Sequence, residues 1–284
     1  MIAPKLLDMK ELVAAVDVCC CKKNNCLYIM DKKKGKVKEV LKINTDGELL
    51  ISWPTKYNAR GYLSTATDGN VIITVQEKQM LLEYNSSNGK LMCKIMLPEC
   101  NNPWHAVKLA DGRYVVSHGI LTDHLIRVCH VDKEGKVAES FGPKSGSAEN
   151  QLNMPVYLAV ERSGCVIVAD LFSNRVLLLD SNLNFQANIV PKYKQTFRNP
   201  KRVCLNEPLL AVVIAAGNTT ETIRDGEAAH GNEAEAAETS TEKSVLLRDA
   251  EEGTTHAFDI SKKIDEDCRL LVFNMEPLLP KQDG

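Results

Sequence analysis

The sequence has no apolar run close to the roughly 18 consecutive residues that a membrane-spanning helix needs. Its first residues, 1–8, contain no basic region followed by a continuous apolar stretch, so no secretory signal is expected. No nucleophile elbow, phosphate-binding loop or paired-carboxylate motif is present either. The sequence therefore predicts a cytoplasmic protein that does not contact membranes, is not an enzyme and needs no cofactor.

The ten cysteines do not follow the spacing of a disulfide framework. Several of them stand inside apolar runs, namely Cys93, Cys129, Cys165 and Cys204. In a reducing compartment such thiols are expected to act as small buried hydrophobic groups. Cys19, Cys20 and Cys21, with Cys26, lack the second pair of ligands that a structural zinc site requires, so no metal site is expected.

One segment carries most of the negative charge. Residues 218–267 contain 14 acidic and 5 basic residues, a net charge of −9, whereas the other 30 basic and 23 acidic residues give the remainder +7. The segment is rich in Ala, Glu and Thr and poor in aromatic residues, which is typical of a solvated, disordered insert. The basic remainder permits RNA binding without requiring it, and no DNA binding is expected.

Four segments of the chain can be superimposed as repeats. Each contains three short apolar strands, a polar turn and a fourth strand; the second strands are 26–31, 71–75, 114–118 and 165–170. Short strands separated by turn signals predict an all-β fold. A period of roughly 42 to 52 residues with four strands per unit is typical of a β-propeller blade. Helical repeats would need apolar residues every three or four positions, and such runs are absent.

The fourth unit carries a more specific motif. It reads Met154-Pro-Val-Tyr-Leu-Ala-Val160, then Gly164-Cys-Val-Ile-Val-Ala-Asp170, then Ser173-Asn-Arg-Val176. This pattern resembles the NHL repeat, which has a proline before the first strand, a glycine turn, Val-x-Val-Ala-Asp in the second strand and Asn-x-Arg at the start of the third. The resemblance covers residues 12–274 apart from the acidic segment. It implies an NHL-type β-propeller similar to that of tripartite-motif (TRIM-NHL) proteins.

The other units match this motif only in part. The proline recurs in Asn102-Pro103 and Asn199-Pro200, and Asp31 keeps the aspartate, but Val75 and His118 replace it.

Five blades are recognisable, and the sixth that NHL propellers usually have is missing or degenerate. The fifth unit begins at Asn199, and its third strand, 269–274, follows only after the acidic segment. The predicted organisation is propeller blades over 12–217, an acidic disordered insert over 218–267, and the last propeller strand with a tail over 268–284. Three explanations stay open: a five-bladed ring, a fragment without an amino-terminal blade, which we favour, and an isoform with an unusual carboxyl end.

One residue per blade stands just before the innermost strand. Tyr62, His105 and Tyr157 each precede a turn glycine by seven residues, and Arg202 has the corresponding place in the fifth unit. Because every unit enters its first strand at the same face, these side chains should ring one mouth of the central channel. Aromatic rings and a guanidinium there suit stacking and polar recognition of bases or peptide side chains, unless they only pack between blades. The residues predicted for this ligand-binding face are Arg60, Tyr62, Trp104, His105, Tyr157, Lys201 and Arg202.

Three functions remain compatible with this pattern. The NHL resemblance implies a non-enzymatic platform for protein, or for single-stranded or structured RNA. In tripartite-motif proteins such a region selects substrates for ubiquitin ligation and proteasomal degradation, and here a partner would have to supply the missing RING domain. The alternative is a metal-dependent hydrolase or lyase propeller of the lactonase or amidating-lyase type, although only the blade of His105 offers histidines for a metal. The third is a truncated paralogue without activity of its own.

Overall fold

The computed structural model describes residues 5–6, 12, 14–32, 38–55, 57, 62–119, 126–142, 145–148, 150–189, 199–206, 211–217, 245–248, 255–258 and 268–274. For 5–6, 38, 206, 211–217, 245–248, 255–258 and 268–274 it describes the backbone alone. Within these residues the regular structure is β-strand, apart from two short 3₁₀ turns, Gln76–Lys78 and Leu171–Ser173. The described part of the chain contains no helix that is long and apolar enough to cross a membrane.

Four antiparallel sheets follow one another along the chain. Within each sheet the strands are paired in sequence order, with the first strand innermost; the exception is one short strand in the first sheet. The first contains β1 (Lys5–Leu6), β2 (Ala15–Cys21), β3 (Cys26–Lys32), β4 (Lys38–Asn44) and β5 (Glu48–Pro54), with β1 on the outer edge beside β5. The second contains β6 (Leu63–Thr65), β7 (Val71–Val75), β8 (Met80–Tyr84) and β9 (Leu91–Met96). The third contains β10 (Pro103–Lys108), β11 (Tyr114–His118), β12 (Arg127–Val131) and β13 (Val137–Phe141). The fourth contains β14 (Pro155–Val160), β15 (Val166–Asp170), β16 (Arg175–Leu179) and β17 (Phe185–Asn188).

The described part of the chain therefore contains four blades, not the predicted five. The fifth unit is a sheet of three strands, β18 (Pro200–Asn206), β19 (Ala211–Gly217) and β22 (Cys268–Asn274), in that order. Strand β22 has the place that the sequence predicts for the third strand, and it pairs with the whole length of β19. The prediction counted these three strands as a blade, but the described residues contain no fourth strand paired with β22. We call this unit the fifth sheet.

The predicted acidic insert, 218–267, lies mostly outside the described residues. Within it the backbone forms a hairpin in which β20 (Val245–Arg248) pairs with β21 (Thr255–Phe258). The prediction of a disordered segment did not include this hairpin.

The hydrophobic core lies between the blades. The middle strands β7, β8, β11, β15 and β16 are buried along their whole length, whereas the outer strands β9 and β13 have mostly exposed residues. Because successive side chains of a strand point to opposite faces, the second, third and fourth blades each pack on two different neighbours. For example, Trp53 of the first blade packs against Tyr84 of the second, with 6.4 Å between the ring centroids.

Not all of the cysteines in apolar runs are buried. Cys129 and Cys165 are buried as predicted, but Cys93 and Cys204 are exposed. Cys93 stands on the outer strand β9, and Cys204 on β18, where alternate side chains point away from the core. An apolar sequence context alone does not distinguish these positions from buried ones.

The innermost strands share an irregularity near their first residue. In β10 the pairing with the second strand shifts between Pro103 and His105, and β2, β14 and β18 show the same shift. Proline has no N–H to give to the sheet and is therefore tolerated at the first position of a strand. The shift leaves one residue unpaired and bends the strand. The side chains that follow it are brought to the centre of the ring.

Candidate binding face at the centre of the ring

Five side chains, one from each innermost strand or the residue before it, meet at the centre of the ring. We call them the central cluster: Asp17, Tyr62, His105, Tyr157 and Arg202. Four of them follow the register shift of their strand. Tyr62 has the equivalent place in the second blade, because its carbonyl accepts a hydrogen bond from the N–H of Thr74 (3.1 Å), next to the last residue of β7.

The sequence analysis did not identify Asp17. The seven-residue spacing to a turn glycine fails in the first blade, because Asn25 takes the positive φ (44°) in the turn between β2 and β3. A second spacing comes within one residue of it. Asp17 precedes Asp31 by 14 residues, whereas Tyr157 precedes Asp170 by 13. Aligning the aspartates of the second strands without a gap therefore places Val18, the neighbour of Asp17, at the centre.

The side chain of His105 joins its own innermost strand to two others by hydrogen bonds to their backbone groups. Its Nδ1 accepts a hydrogen bond from the N–H of Leu158 in β14 (3.2 Å), so the proton is on Nε2, which donates to the carbonyl of Leu63 in β6 (3.1 Å). The imidazole also stacks on Tyr157, with the centroids 3.8 Å and the planes 20° apart. Burial lowers the pKa of His105 to about 3, because the charged form would lose its hydration. His105 is therefore neutral at physiological pH, and both of its nitrogens are engaged.

The peptide groups of Leu63 connect several members of the central cluster. Its N–H donates to Oδ2 of Asp17 (2.7 Å), and its carbonyl accepts from His105 and from the hydroxyl of Tyr157 (3.4 Å). Because the carbonyl of Tyr62 bonds to the N–H of Thr74, the N–H and carbonyl of Leu63, one residue on, point away from β7, and side chains of other units satisfy them. These bonds hold the innermost strands of four units together.

Arg202 links the fifth sheet to the first blade. Its Nε donates to Oδ1 of Asp17 (2.9 Å), and an amino group donates to the carbonyl of Val16 (3.4 Å). The guanidinium carbon lies 4.4 Å from the ring centroid of Tyr62 and 4.9 Å from that of Tyr157, distances at which cation and ring attract each other. Burial raises the pKa of the Asp17 carboxyl, although the Arg202 charge opposes this rise. The charge of Arg202 is thus compensated within the chain.

The accessible part of this region is a rim that shares two residues with the central cluster. We define the rim as Tyr62, Trp104, Lys201 and Arg202. Lys201 is exposed and the other three are half-buried. Trp104 donates its Nε1–H to the carbonyl of Gly119 (2.9 Å), and its ring centroid is 6.4 Å from that of Tyr62. The rim therefore presents large side chains whose orientation is already fixed.

The structure brings most of the predicted face together but buries part of it. Tyr62, Trp104 and Arg202 are in contact, with Lys201 next to Arg202 in the chain. His105 and Tyr157 are only 1% and 7% exposed, because the bonds of His105 to β6 and β14 draw the stacked pair between the strands. These two residues support the rim and are not accessible to a ligand. Arg60 lies outside the described residues.

Acidic groups near the centre are also engaged with the chain. Asp31, in the second strand of the first blade, accepts from the N–H of Ala14 (2.8 Å), and Asp170 pairs with Arg175 (3.0 Å). Among the described residues, no group of three or more His, Cys, Asp or Glu is placed to hold a metal ion.

No protein-family model matches the chain, and no curated protein sequence matches it. Solved structures do match. The β-propeller domain of Cps50 (Swd1) from Myceliophteria thermophila is 10% identical over 71% of this chain and 62% of its own, with a TM-score of 0.52. Kuenenia stuttgartiensis hydrazine synthase is 14% identical over 69% of this chain and 67% of its own, with a TM-score of 0.51. Virginiamycin B lyase from Staphylococcus aureus is 14% identical over 70% of this chain and 61% of its own, with a TM-score of 0.49.

These similarities concern the fold alone. The alignments span less than two thirds of the Cps50 and lyase chains, and the identities are low. With the sheet topology, the match to the Cps50 propeller confirms the prediction of an all-β propeller with four-stranded blades. The chain is a β-propeller, and its assignment to the NHL repeat stays a prediction.

Proposed function

We propose that this chain is a non-enzymatic binding platform whose rim recognises a segment of a partner protein. The observation that carries the proposal is the set of partly exposed Tyr62, Trp104 and Arg202 side chains, held next to the buried members of the central cluster. Tyrosine, tryptophan and arginine are the residues that most often dominate the binding energy of protein interfaces. Trp104 is held by Gly119, and Arg202 by Asp17, before any partner arrives, so little side-chain entropy is lost on binding.

Charge at the rim favours a protein segment over RNA. Contacts with phosphates require cations that can replace the counterions of the nucleic acid. Arg202 is already paired with Asp17 at 2.9 Å and lies over the rings of Tyr62 and Tyr157. Among the described rim residues, Lys201 is then the cation left for a phosphate. Single-stranded or structured RNA is therefore the second candidate.

The hydrogen bonds of His105 favour binding over catalysis at the centre. A histidine whose pKa is about 3 does not take up a proton at neutral pH and so makes a poor general base. Its Nδ1 and Nε2 already contact backbone groups of Leu158 and Leu63, which leaves no lone pair for a metal ion. We therefore propose that the chain is not an enzyme, and no observation favours the hydrolase or lyase alternative.

The NHL-type function belongs to the same proposal. In the unit with the motif, Asp170 and Arg175 form a fully buried ion pair. Arg175 also donates to the carbonyl of Ala148 (3.0 Å), and Asp170 accepts from the N–H of Asn153 (2.7 Å). The two motif residues thus fix the connection before β14. This structural role explains why the motif contains both residues. Selection of substrates for a ubiquitin ligase carried by a partner chain is the function that this resemblance implies.

The experiment compares partner proteins captured by the wild-type chain and by two rim variants, Trp104→Ala and Lys201→Glu. Matched controls are Met92→Ala on the outer strand β9, where the side chain is 56% exposed, and Lys133→Glu in the exposed turn after β12. Captured proteins are quantified by mass spectrometry with and without nuclease. We expect nuclease-resistant partners whose binding falls at least about 10-fold with Trp104→Ala. The two controls should retain them.

Three outcomes would contradict the proposal. Equal capture by rim and control variants would place the binding surface elsewhere. Loss of all partners with nuclease, together with a steep fall of affinity with salt, would favour RNA. One equivalent of tightly held zinc or calcium in the purified protein would favour the metal-dependent enzyme.

A further inference from the structure

The register shifts of four innermost strands each leave one residue unpaired at the mouth of the ring. These residues are Val16, Trp104, Val156 and Lys201, each of which lies between the two paired positions where its strand shifts. Val156 is buried, Val16 and Trp104 are half-buried, and Lys201 is exposed. At these positions the mouth therefore presents two apolar side chains and one ammonium group to a partner.

The other cation of the rim is already used within the chain. The Nε of Arg202 donates to Asp17 (2.9 Å), and its two amino groups donate to the carbonyls of Lys201 (3.0 Å) and Val16 (3.4 Å). The side chain of Asp17 is fully buried, so its charge faces Arg202 and not the partner. Lys201 makes no ion pair with a described residue. Among the rim residues, the positive charge left for a partner is therefore that of Lys201.

We propose that the partner segment is extended and carries an acidic side chain two positions from an apolar side chain. The apolar side chain covers the exposed parts of Tyr62 and Trp104, and the carboxylate pairs with Lys201. This inference rests on the proposed function, because it names the chemistry of the segment that the rim recognises.

The spacing follows from the geometry of the rim. Alternate side chains of an extended segment point to the same side and lie about 7 Å apart. The guanidinium carbon of Arg202 lies 4.4 Å from the ring centroid of Tyr62, and Lys201 precedes Arg202 at the unpaired position. A side chain two positions from the apolar one therefore reaches past Tyr62 to the Lys201 ammonium, whereas the side chain between them points away from the rim.

The single uncompensated charge suits one carboxylate. RNA places a phosphate at every nucleotide, and its binding requires several cations that replace counterions. An ion pair at an exposed site adds up to about 5-fold in affinity. Tyr62 and Trp104 therefore supply most of the affinity, and Lys201 selects the sign of the charge that the segment carries.

The test begins with a library of random 12-residue peptides displayed on phage. The full chain is the bait, and the Trp104→Ala chain serves for counter-selection. We expect Asp or Glu to be enriched two positions from a large apolar residue in the peptides that bind. The affinities of the synthetic peptides are then measured by fluorescence anisotropy, and replacing the acidic residue by glutamine should weaken binding by about 3-fold to 5-fold.

An exchange of charges tests the pairing with Lys201. Lys201→Glu should weaken the acidic peptide by at least about 5-fold, because it replaces attraction by repulsion. The same peptide with lysine in place of its acidic residue should prefer the Lys201→Glu chain to the wild type. The matched control is Lys133→Glu, at an exposed lysine of the turn after β12, which should change neither affinity. Lys201 is exposed, so this comparison does not depend on the folding of Trp104→Ala.

The outcomes separate this inference from the proposed function. Peptides that depend on Trp104 but bind wild type and Lys201→Glu equally would overturn the acidic preference and leave the proposed function standing. If no selected peptide depends on Trp104, both are wrong. An oligonucleotide of ten uridines that displaces the labelled peptide at a lower concentration than the unlabelled peptide does would make RNA the occupant and overturn the inference.

Discussion

Acidification should destabilise this protein in a way that depends on His105. Its pKa is about 3 in the folded chain and has the ordinary value of 6.5 in the unfolded chain. Below 6.5 the unfolded state therefore binds a proton that the folded state does not, and the free energy of unfolding falls as the pH falls towards 3. From about pH 7.5 to about pH 5, this difference costs about 2 kcal/mol. The imidazole is 1% exposed, so solvent does not screen the effect.

The matched variant is His105→Asn. The asparagine Oδ1 can take the place of Nδ1 as acceptor for the N–H of Leu158, but the side chain does not titrate. Urea unfolding at each pH gives the two stability curves, and the wild type should lose about 2 kcal/mol more than the variant by about pH 5. Asp17, whose pKa is raised in the folded chain, contributes to both curves and cancels in the difference. Parallel curves would refute the lowered pKa of the buried His105, because the imidazole would then accept a proton while the chain is folded.

Two further predictions test the packing of the blades. Arg175→Met should lower the free energy of unfolding by about 3–5 kcal/mol in urea, because it leaves the fully buried Asp170 carboxylate without its partner. Gly135→Ala should lower the melting temperature much more than Gly112→Ala. Both glycines have φ near 90°, but a Cβ at Gly135 would overlap the carbonyl oxygen of Met96, whereas a Cβ at Gly112 meets nothing within 4 Å.

Each of these two predictions has a contradicting result. A loss below about 1 kcal/mol for Arg175→Met would show that the connection before β14 rearranges and lets water solvate the carboxylate. Equal melting temperatures for the two glycine variants would show that β9 moves aside at little cost. The loss of stability would then come entirely from the strain of an alanine at φ near 90°, which costs about 1–2 kcal/mol in each variant.

The blade architecture could be predicted because it follows from local patterns. Alternation and turn signals define short strands, and their repetition defines the blades. The apolar run 269–274 even identified the strand that pairs with β19 across the acidic segment. The number of blades could not be obtained in this way. Whether an apolar run becomes the fourth strand of a sheet depends on pairing with a strand far along the chain, which no local pattern contains.

The site could be predicted in its position but not in its internal contacts. The repeat register placed Tyr62, His105, Tyr157 and Arg202 at equivalent points, and their side chains do converge. The register could not show that His105 bonds to the backbone of two neighbouring strands and is therefore buried. Such bonds depend on the distance between blades. The partner of Arg202 was missed for a simpler reason: the turn in the first blade has Asn25 where the others have glycine.

Arg202 belongs both to the rim and to the contact between the fifth sheet and the first blade, and this has a thermodynamic consequence. The same guanidinium is presented at the rim and bonds to Asp17 of the first blade. A partner carboxylate that binds Arg202 must compete with Asp17, whose burial leaves it few other ways to be stabilised. A partner that contacts only Tyr62 and Trp104 leaves the ion pair in place. The Arg202–Asp17 contact and partner binding are therefore coupled with a sign that depends on the partner's charge, since an acidic segment weakens this ion pair and a neutral one preserves it.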